Sequence, residues 1–386
     1  MDQRTIQILL VLLRSAIRGT KLTDNERENY SADMLQDLLK ISAKHDVIHL
    51  LVLGLKQNEL ILQDHHEIEK YILKAVYRYE RLRYEYDNLC DALEIAQIPF
   101  LPLKGSVIRK YYPEAWMRTS CDIDILVHDE DIERAREIMV DKCKYTYQGK
   151  GSHDISLFSP TNIHVELHYD LVEDGRVNAS SNVLRNVWNA SRVREGYGFW
   201  YEMPDEMFYF YHVAHMAKHF ENGGCGIRPF IDLLILDGIP EVDKEKRDKL
   251  LQQGNLLKFA NAARKLSRTW FSNEQHDIIT QQMEDYILRG GVYGSNENRI
   301  TVQQQKKGGR IKYALSKIFI PYDVIKFHYP ILQKHKWLTP FMEVRRWFKL
   351  IFCGHAKRTL NELKYNQTIS ADKAGATKIF LENIGL

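Results

Sequence analysis

Two short apolar runs flanking a Lys-Gly-Ser turn, between Leu101 and Val127, constrain this chain more than any other stretch. The first run ends in Leu103-Lys104-Gly105-Ser106, and the second reads Asp122-Ile-Asp124-Ile-Leu-Val127. In an extended strand, residues two apart share a face. Asp122 and Asp124 therefore project side by side, while Ile123, Ile125 and Val127 face a core. Paired carboxylates repel unless a positive charge lies between them. Oxygen ligands of this type suit Mg²⁺.

The pattern around this stretch is mostly helical. Ile6, Leu9, Leu10, Leu13 and Ile17 lie on one helical face, and two further helical patterns follow before residue 56. A long helix then carries a continuous seam, Ile68, Ile72, Ala75, Tyr79, Leu82, Tyr86, Leu89, Leu93 and Ala96. The seam is too short and too rich in tyrosine for a dimeric coiled coil, so it is expected to pack within the chain. Strands are expected at Phe100–Leu103, Asp122–Val127, Lys144–Gln148, Ile155–Phe158 and Ile163–Leu167. On the last of these, His164, Glu166 and His168 share the face opposite the core. Helices return from Pro204 onward, and the polar segment 295–310, ending in Lys-Lys-Gly-Gly-Arg, reads as a linker or mobile loop. The expected fold class is α+β, a small mixed-sheet core flanked by N-terminal and C-terminal helical regions. The expected division is a helical bundle (1–66), a core with its long leading helix (67–200), a helical substrate-side domain (201–295) and a basic, aromatic-rich helical region (296–386).

Charge is distributed unevenly. The net charge of +3 is modest. Residues 299–364, however, carry fifteen Lys and Arg against Asp323, Glu343 and Glu362, near +12, which leaves the rest near −9. Aromatics interleave this segment. It is expected to meet solvent alone, an anionic partner such as nucleic acid, or a membrane surface. Five scattered cysteines with no Cys-x-x-Cys pair point to reduced thiols and a cytoplasmic protein, peripheral to a membrane if the basic region docks there. The apolar run Ile6–Leu13 follows Asp2 and stops at Arg14, which does not fit an export signal. No run approaches the ~20 apolar residues of a transmembrane helix.

Two aspartates on one strand, a third carboxylate on another and a Gly-Ser turn opening a helix can together handle a nucleoside triphosphate. These motifs resemble the polymerase-β-type nucleotidyltransferase superfamily. The order Leu103-Lys104-Gly105, Arg118-x-x-x-Asp122-Ile-Asp124, then Val165-Glu166-Leu167-His168, with His215-x-x-x-His219, Arg228 and Asp232 further on, is similar to a bacterial family described as uncharacterised nucleotidyltransferases. The resemblance covers roughly residues 85–240. It implies Asp122, Asp124 and Glu166 as catalytic metal ligands for two Mg²⁺ ions, with Glu166 also orienting or deprotonating the acceptor. Lys104, Gly105, Ser106 and Arg118 would meet the nucleotide. His215, Lys218, His219 and Arg228 would reach phosphates or the acceptor, with Asp232 holding one of them. The implied reaction moves NMP, with AMP the expected group, from an NTP to a hydroxyl on an unnamed acceptor.

Other readings fit parts of the pattern. A catalytically silent nucleotide-binding or regulatory module retains the same carboxylates, and a nucleic-acid-binding protein would act through residues 299–364. His164, Glu166 and His168 have zinc-like spacing, as do His212, His215 and His219 on a helix. The upstream aspartates account better for Glu166, and a polar wall of an interdomain cleft accounts better for the helical histidines.

Overall fold

The computed structural model describes residues 2–61, 66–172, 178–352 and 356–386; Cys353 lies outside them. A five-stranded sheet runs β1 (Phe100–Pro102), β2 (Asp122–Val127), β3 (Thr146–Lys150), β4 (Asp154–Phe158) and β5 (His164–His168), in the order β1-β2-β5-β4-β3. β2 and β5 are parallel, and the other neighbours are antiparallel. The chain is thus a mixed α+β protein in which helices flank a small mixed sheet.

The alternation in β2 assigns its two faces to two cores. Ile123, Ile125 and Val127 join Ile155, Leu157, Val165 and Leu167 beneath the helices His66–Ile95 and Ile132–Asp141. Leu82, Leu89 and Leu93 of the long-helix seam are buried there, so that seam packs within the chain. On the other face, Leu126 continues the row of Asp122 and Asp124 into a larger core. This core unites the helix Gln3–Arg18 with the helices Asp205–Phe220, Arg228–Asp237 and Leu257–Phe271. The N-terminal helices and those after residue 205 therefore share one interior. The carboxylate face of the sheet looks into the helical layer.

The expected linker at 295–310 is instead largely the helix Asn296–Lys306, capped by Ser295. Its buried positions include Asn298, Thr301 and Gln304, which make the segment look like a loop by composition. Asn298 donates to the Tyr286 carbonyl, and Gln304 donates to Asn366. Buried polar groups are tolerated when they are paired in this way.

His45 is fully buried, and neither ring nitrogen has a hydrogen-bond partner. Burial, aided by Lys44, pushes its pKa down to about 4. An unfolded histidine binds its proton near pH 6.5. Between these values the unfolded chain holds more protons, so stability is full above pH 6.5 and falls as pH drops towards 4. This loss should reach about 3 kcal/mol and be absent from the pH dependence of His45→Leu, measured by urea unfolding at several pH values.

Candidate active site

The register of the β2–β5 pair assembles the site. Asp122 lies opposite His164, and Asp124 lies opposite Glu166. Because parallel strands in register present the same face, Asp122, Asp124, His164, Glu166 and His168 crowd one patch. Ligand atoms of Asp122, His164 and Glu166 lie within 4.8 Å of one another, as do those of Asp124, Glu166 and His168. Glu166 belongs to both groups. Each group pairs one histidine with two carboxylates, so the zinc-type set of His164, Glu166 and His168 alone is not what converges among the described residues.

Lys104 supplies the nearest cation. Its Nζ donates to Asp124 Oδ1 at 2.6 Å and lies 3.8 Å from Glu166 Oε2. Lys104 has φ +45°, a left-handed backbone that costs a non-glycine residue on the order of 1–3 kcal/mol and recurs at functional sites. It opens the short helix Lys104–Ile108, which follows directly on β1. His168 Nε2 meets Asp124 Oδ1 at 2.9 Å and Glu166 Oε2 at 3.4 Å. Burial favours the neutral imidazole, but the bonds to Asp124 and Glu166 outweigh it and raise the His168 pKa. Burial likewise favours protonated Asp124, but Lys104 and His168 hold its carboxyl well below the usual range.

Asp122 is different. No cation pairs with its side chain among the described residues. Burial, reinforced by the negative charges of Asp124 and Glu166, raises its pKa. A patch with three acids, one of them without an ion pair among the described residues, and oxygen donors a few ångströms apart fits a divalent cation. Asp122 with His164 and Glu166, or Asp124 with Glu166 and His168, could hold one.

A cleft of about 530 Å³ opens beside this patch. Glu166 lines it, whereas Asp122 and Asp124 do not; Lys104, His168, Tyr211, His215 and Lys218 line it as well. His215 Nε2 lies 3.0 Å from His219 Nε2. Burial, then the proximity of His219 and Lys104, keeps His215 well below its ordinary pKa, so it presents a neutral ring. His212 is turned away towards the Pro229 carbonyl, and the three helical histidines do not converge.

The remaining residues expected at the site are placed as follows. Gly105 packs so closely that an added Cβ would lie 3.0 Å from the Ser120 Cβ. Ser106 borders a separate cavity of about 140 Å³ with Tyr79, Tyr86, Arg109 and Ile123, not the larger cleft. Arg118 makes a two-pronged pair with Asp232, Nε to Oδ1 at 2.7 Å and Nη2 to Oδ2 at 2.9 Å, and its Nη1 donates to the Thr119 carbonyl. Tyr112 donates to the same Asp232 Oδ1 at 2.6 Å. Arg228 Nη1 donates to Asp46 Oδ2 at 2.6 Å and to the Thr119 carbonyl at 3.0 Å, while its buried Nε has no partner.

Several residues of this site escaped sequence reading. Arg109 donates to the Gly105 carbonyl and to Ser120 Oγ, bracing the turn; its position one helical turn after Gly105 was a usable signal. Tyr211 shares the helix of His215 one turn earlier. Asp46, in a loop far from every motif, offered none.

A family model described as an uncharacterised nucleotidyltransferase matches residues 31–272. No curated protein and no solved structure matches the chain.

Proposed function

The chain belongs to the uncharacterised nucleotidyltransferase family, a transferase of phosphorus-containing groups, and we propose that it moves NMP, specifically AMP, from a Mg²⁺-bound NTP to a hydroxyl of an acceptor seated in the 530 Å³ cleft. The observation that carries this reading is the division of labour among the carboxylates. Glu166 groups with Asp122 and His164 on one side and with Asp124 and His168 on the other, and of the three carboxylates it alone lines the cleft. Asp122, Asp124 and Glu166 would hold the ions, which when bound supply charge neutralisation for the polyphosphate and for the attacking oxygen.

The chain's own groups account for the rest. The acceptor hydroxyl lies in the cleft against Glu166, whose carboxylate takes its proton. The freed oxygen attacks the α-phosphorus, and the bond from that phosphorus to the β-phosphate bridging oxygen breaks, releasing pyrophosphate. Lys104, next to the carboxylates, is within reach of the phosphates once its hold on Asp124 is exchanged. Arg228 adds positive charge near Asp122. Neutral His215 can accept or donate a hydrogen bond to the acceptor without adding charge.

The test uses α-labelled and γ-labelled ATP with Mg²⁺ and pools of hydroxyl-bearing small molecules and macromolecules. The expected result is pyrophosphate release with the α-label passing into one pool, stopped by EDTA and in Glu166→Gln. Release of inorganic phosphate in place of pyrophosphate would remove the nucleotidyl-transfer reading. Competition by unlabelled GTP, CTP or UTP as strong as by ATP would remove the assignment to AMP.

A further inference from the structure

Residues 310–349 present a surface that the nucleotidyl-transfer site does not use. Among the described residues, nine of the twenty exposed large hydrophobics fall between Ile311 and Phe348. On the helix Thr339–Phe352, Phe341, Val344, Arg345 and Lys349 are all exposed and lie on one side, at helical spacings of three and four. On the helix Arg310–Ile318, Ile311 and Leu315 are exposed one turn apart beside exposed Lys312. Trp337 is 70% exposed between exposed Lys334, Lys336 and Phe341. The two helices are tied at Ile318, whose carbonyl accepts from Arg346 and Trp347.

Two acids of this region, Glu343 and Glu362, are taken up by partners. Glu343 is buried, accepting from the Ile320 N–H and pairing with Arg346. Glu362 pairs with Arg299 and Lys317. Lys312, Lys334, Arg345 and Lys349 remain exposed, and none pairs with an acid among the described residues. The exposed side chains of this region are thus apolar and cationic together.

We propose that this face docks the protein on an anionic lipid surface. Cations alone would suit nucleic acid equally well. Exposed Ile311, Leu315, Val324 and Val344 decide between the two, because aliphatic side chains gain from entering the acyl boundary and gain nothing from a phosphate backbone. Lys and Arg beside them meet the lipid headgroups. No helix among the described residues is long and apolar enough to cross a membrane, so the contact is peripheral.

The full chain should co-sediment with vesicles of phosphatidylcholine and phosphatidylglycerol and not with phosphatidylcholine alone. Arg345→Gln with Lys349→Gln should weaken that partitioning roughly thirtyfold, since each cation near an anionic surface contributes about fivefold. Salt should weaken it too, as the screening length shrinks from about 10 Å at 0.1 M to about 3 Å at 1 M. Phe341→Ser with Val344→Ser should also release the protein. Both variants should keep their circular dichroism and their transfer to a soluble acceptor, because the changed positions are solvent-facing and distant in sequence from the carboxylates. Absence of vesicle binding overturns the proposal, as does vesicle binding retained in either variant. RNA binding without vesicle binding, lost only in the Gln variant, would give the face to nucleic acid and overturn it. Self-association without vesicle binding, lost only in the Ser variant, would give it to a second copy of the chain and overturn it equally.

Discussion

Asp122→Asn is expected to abolish transfer and at the same time make the protein harder to unfold. The two effects share one cause. Asp122 stands next to Asp124 and Glu166, and burial together with their charges raises its pKa. A carboxyl whose folded pKa exceeds its unfolded value is a net cost to the fold above that unfolded value. Replacing it with a neutral isostere removes the repulsion, so the thermal midpoint rises near neutral pH. The same replacement takes away the carboxylate that makes no ion pair with Lys or Arg among the described residues, and with it the strongest local demand for a divalent ion. The loss in transfer rate should be on the order of a thousandfold, equivalent to several kcal/mol of transition-state stabilisation. Mg²⁺ should raise the wild-type midpoint and leave that of the variant unmoved, since a ligand stabilises only the state that binds it. Asp124→Asn should differ in stability. It strips Lys104 and His168 of their shared acceptor, so its midpoint should fall. A variant at Asp122 that kept wild-type transfer, or lost stability as Asp124→Asn does, would remove Asp122 from the metal site.

The shared face of each strand's carboxylates was legible because it depends on strand alternation alone. Asp122, Asp124 and Glu166 had to share outward faces once Ile123, Ile125, Val165 and Leu167 turned inward. The register that sets Asp124 opposite Glu166 is a tertiary fact, and no local pattern contains it. Lys104 illustrates a second limit. Its place at the Gly-Ser turn marked it as a phosphate contact, but without a ligand its charge goes to the nearest carboxylates. The helix Asn296–Lys306 illustrates a third. Polar composition usually signals a loop, yet Asn298 and Gln304 are buried because their amides find partners distant in sequence. The basic region was legible in its composition, but its exposed apolar face emerged only when Glu343 turned inward.

The Arg118–Asp232 pair carries the largest expected effect on stability. Asp232 is fully buried and Arg118 is 8% exposed, so neither charge has water as an alternative partner. Burial favours protonated Asp232, but Arg118, with His212 and Tyr112, holds its pKa below the usual value. Its contribution is therefore present above the unfolded carboxyl pKa of about 3.9 and is lost as pH falls through the lower folded value. Asp232→Ala strands a buried guanidinium and the Tyr112 hydroxyl, and urea unfolding should show a loss of about 3–5 kcal/mol. Arg118→Lys should be nearly as damaging, because one ammonium cannot reproduce the two-pronged contact. Replacing both, Arg118→Met with Asp232→Leu, should recover most of the stability, since a well-packed apolar pair avoids desolvating two charges. That double variant also separates two roles for Arg118. The segment after it leads through Thr119, Ser120 and Cys121 into Asp122, so a clamp at Arg118 sets where β2 begins. If positioning is its whole task, the apolar pair restores KM for the NTP along with stability. If Arg118 also meets the triphosphate, stability returns and KM stays high.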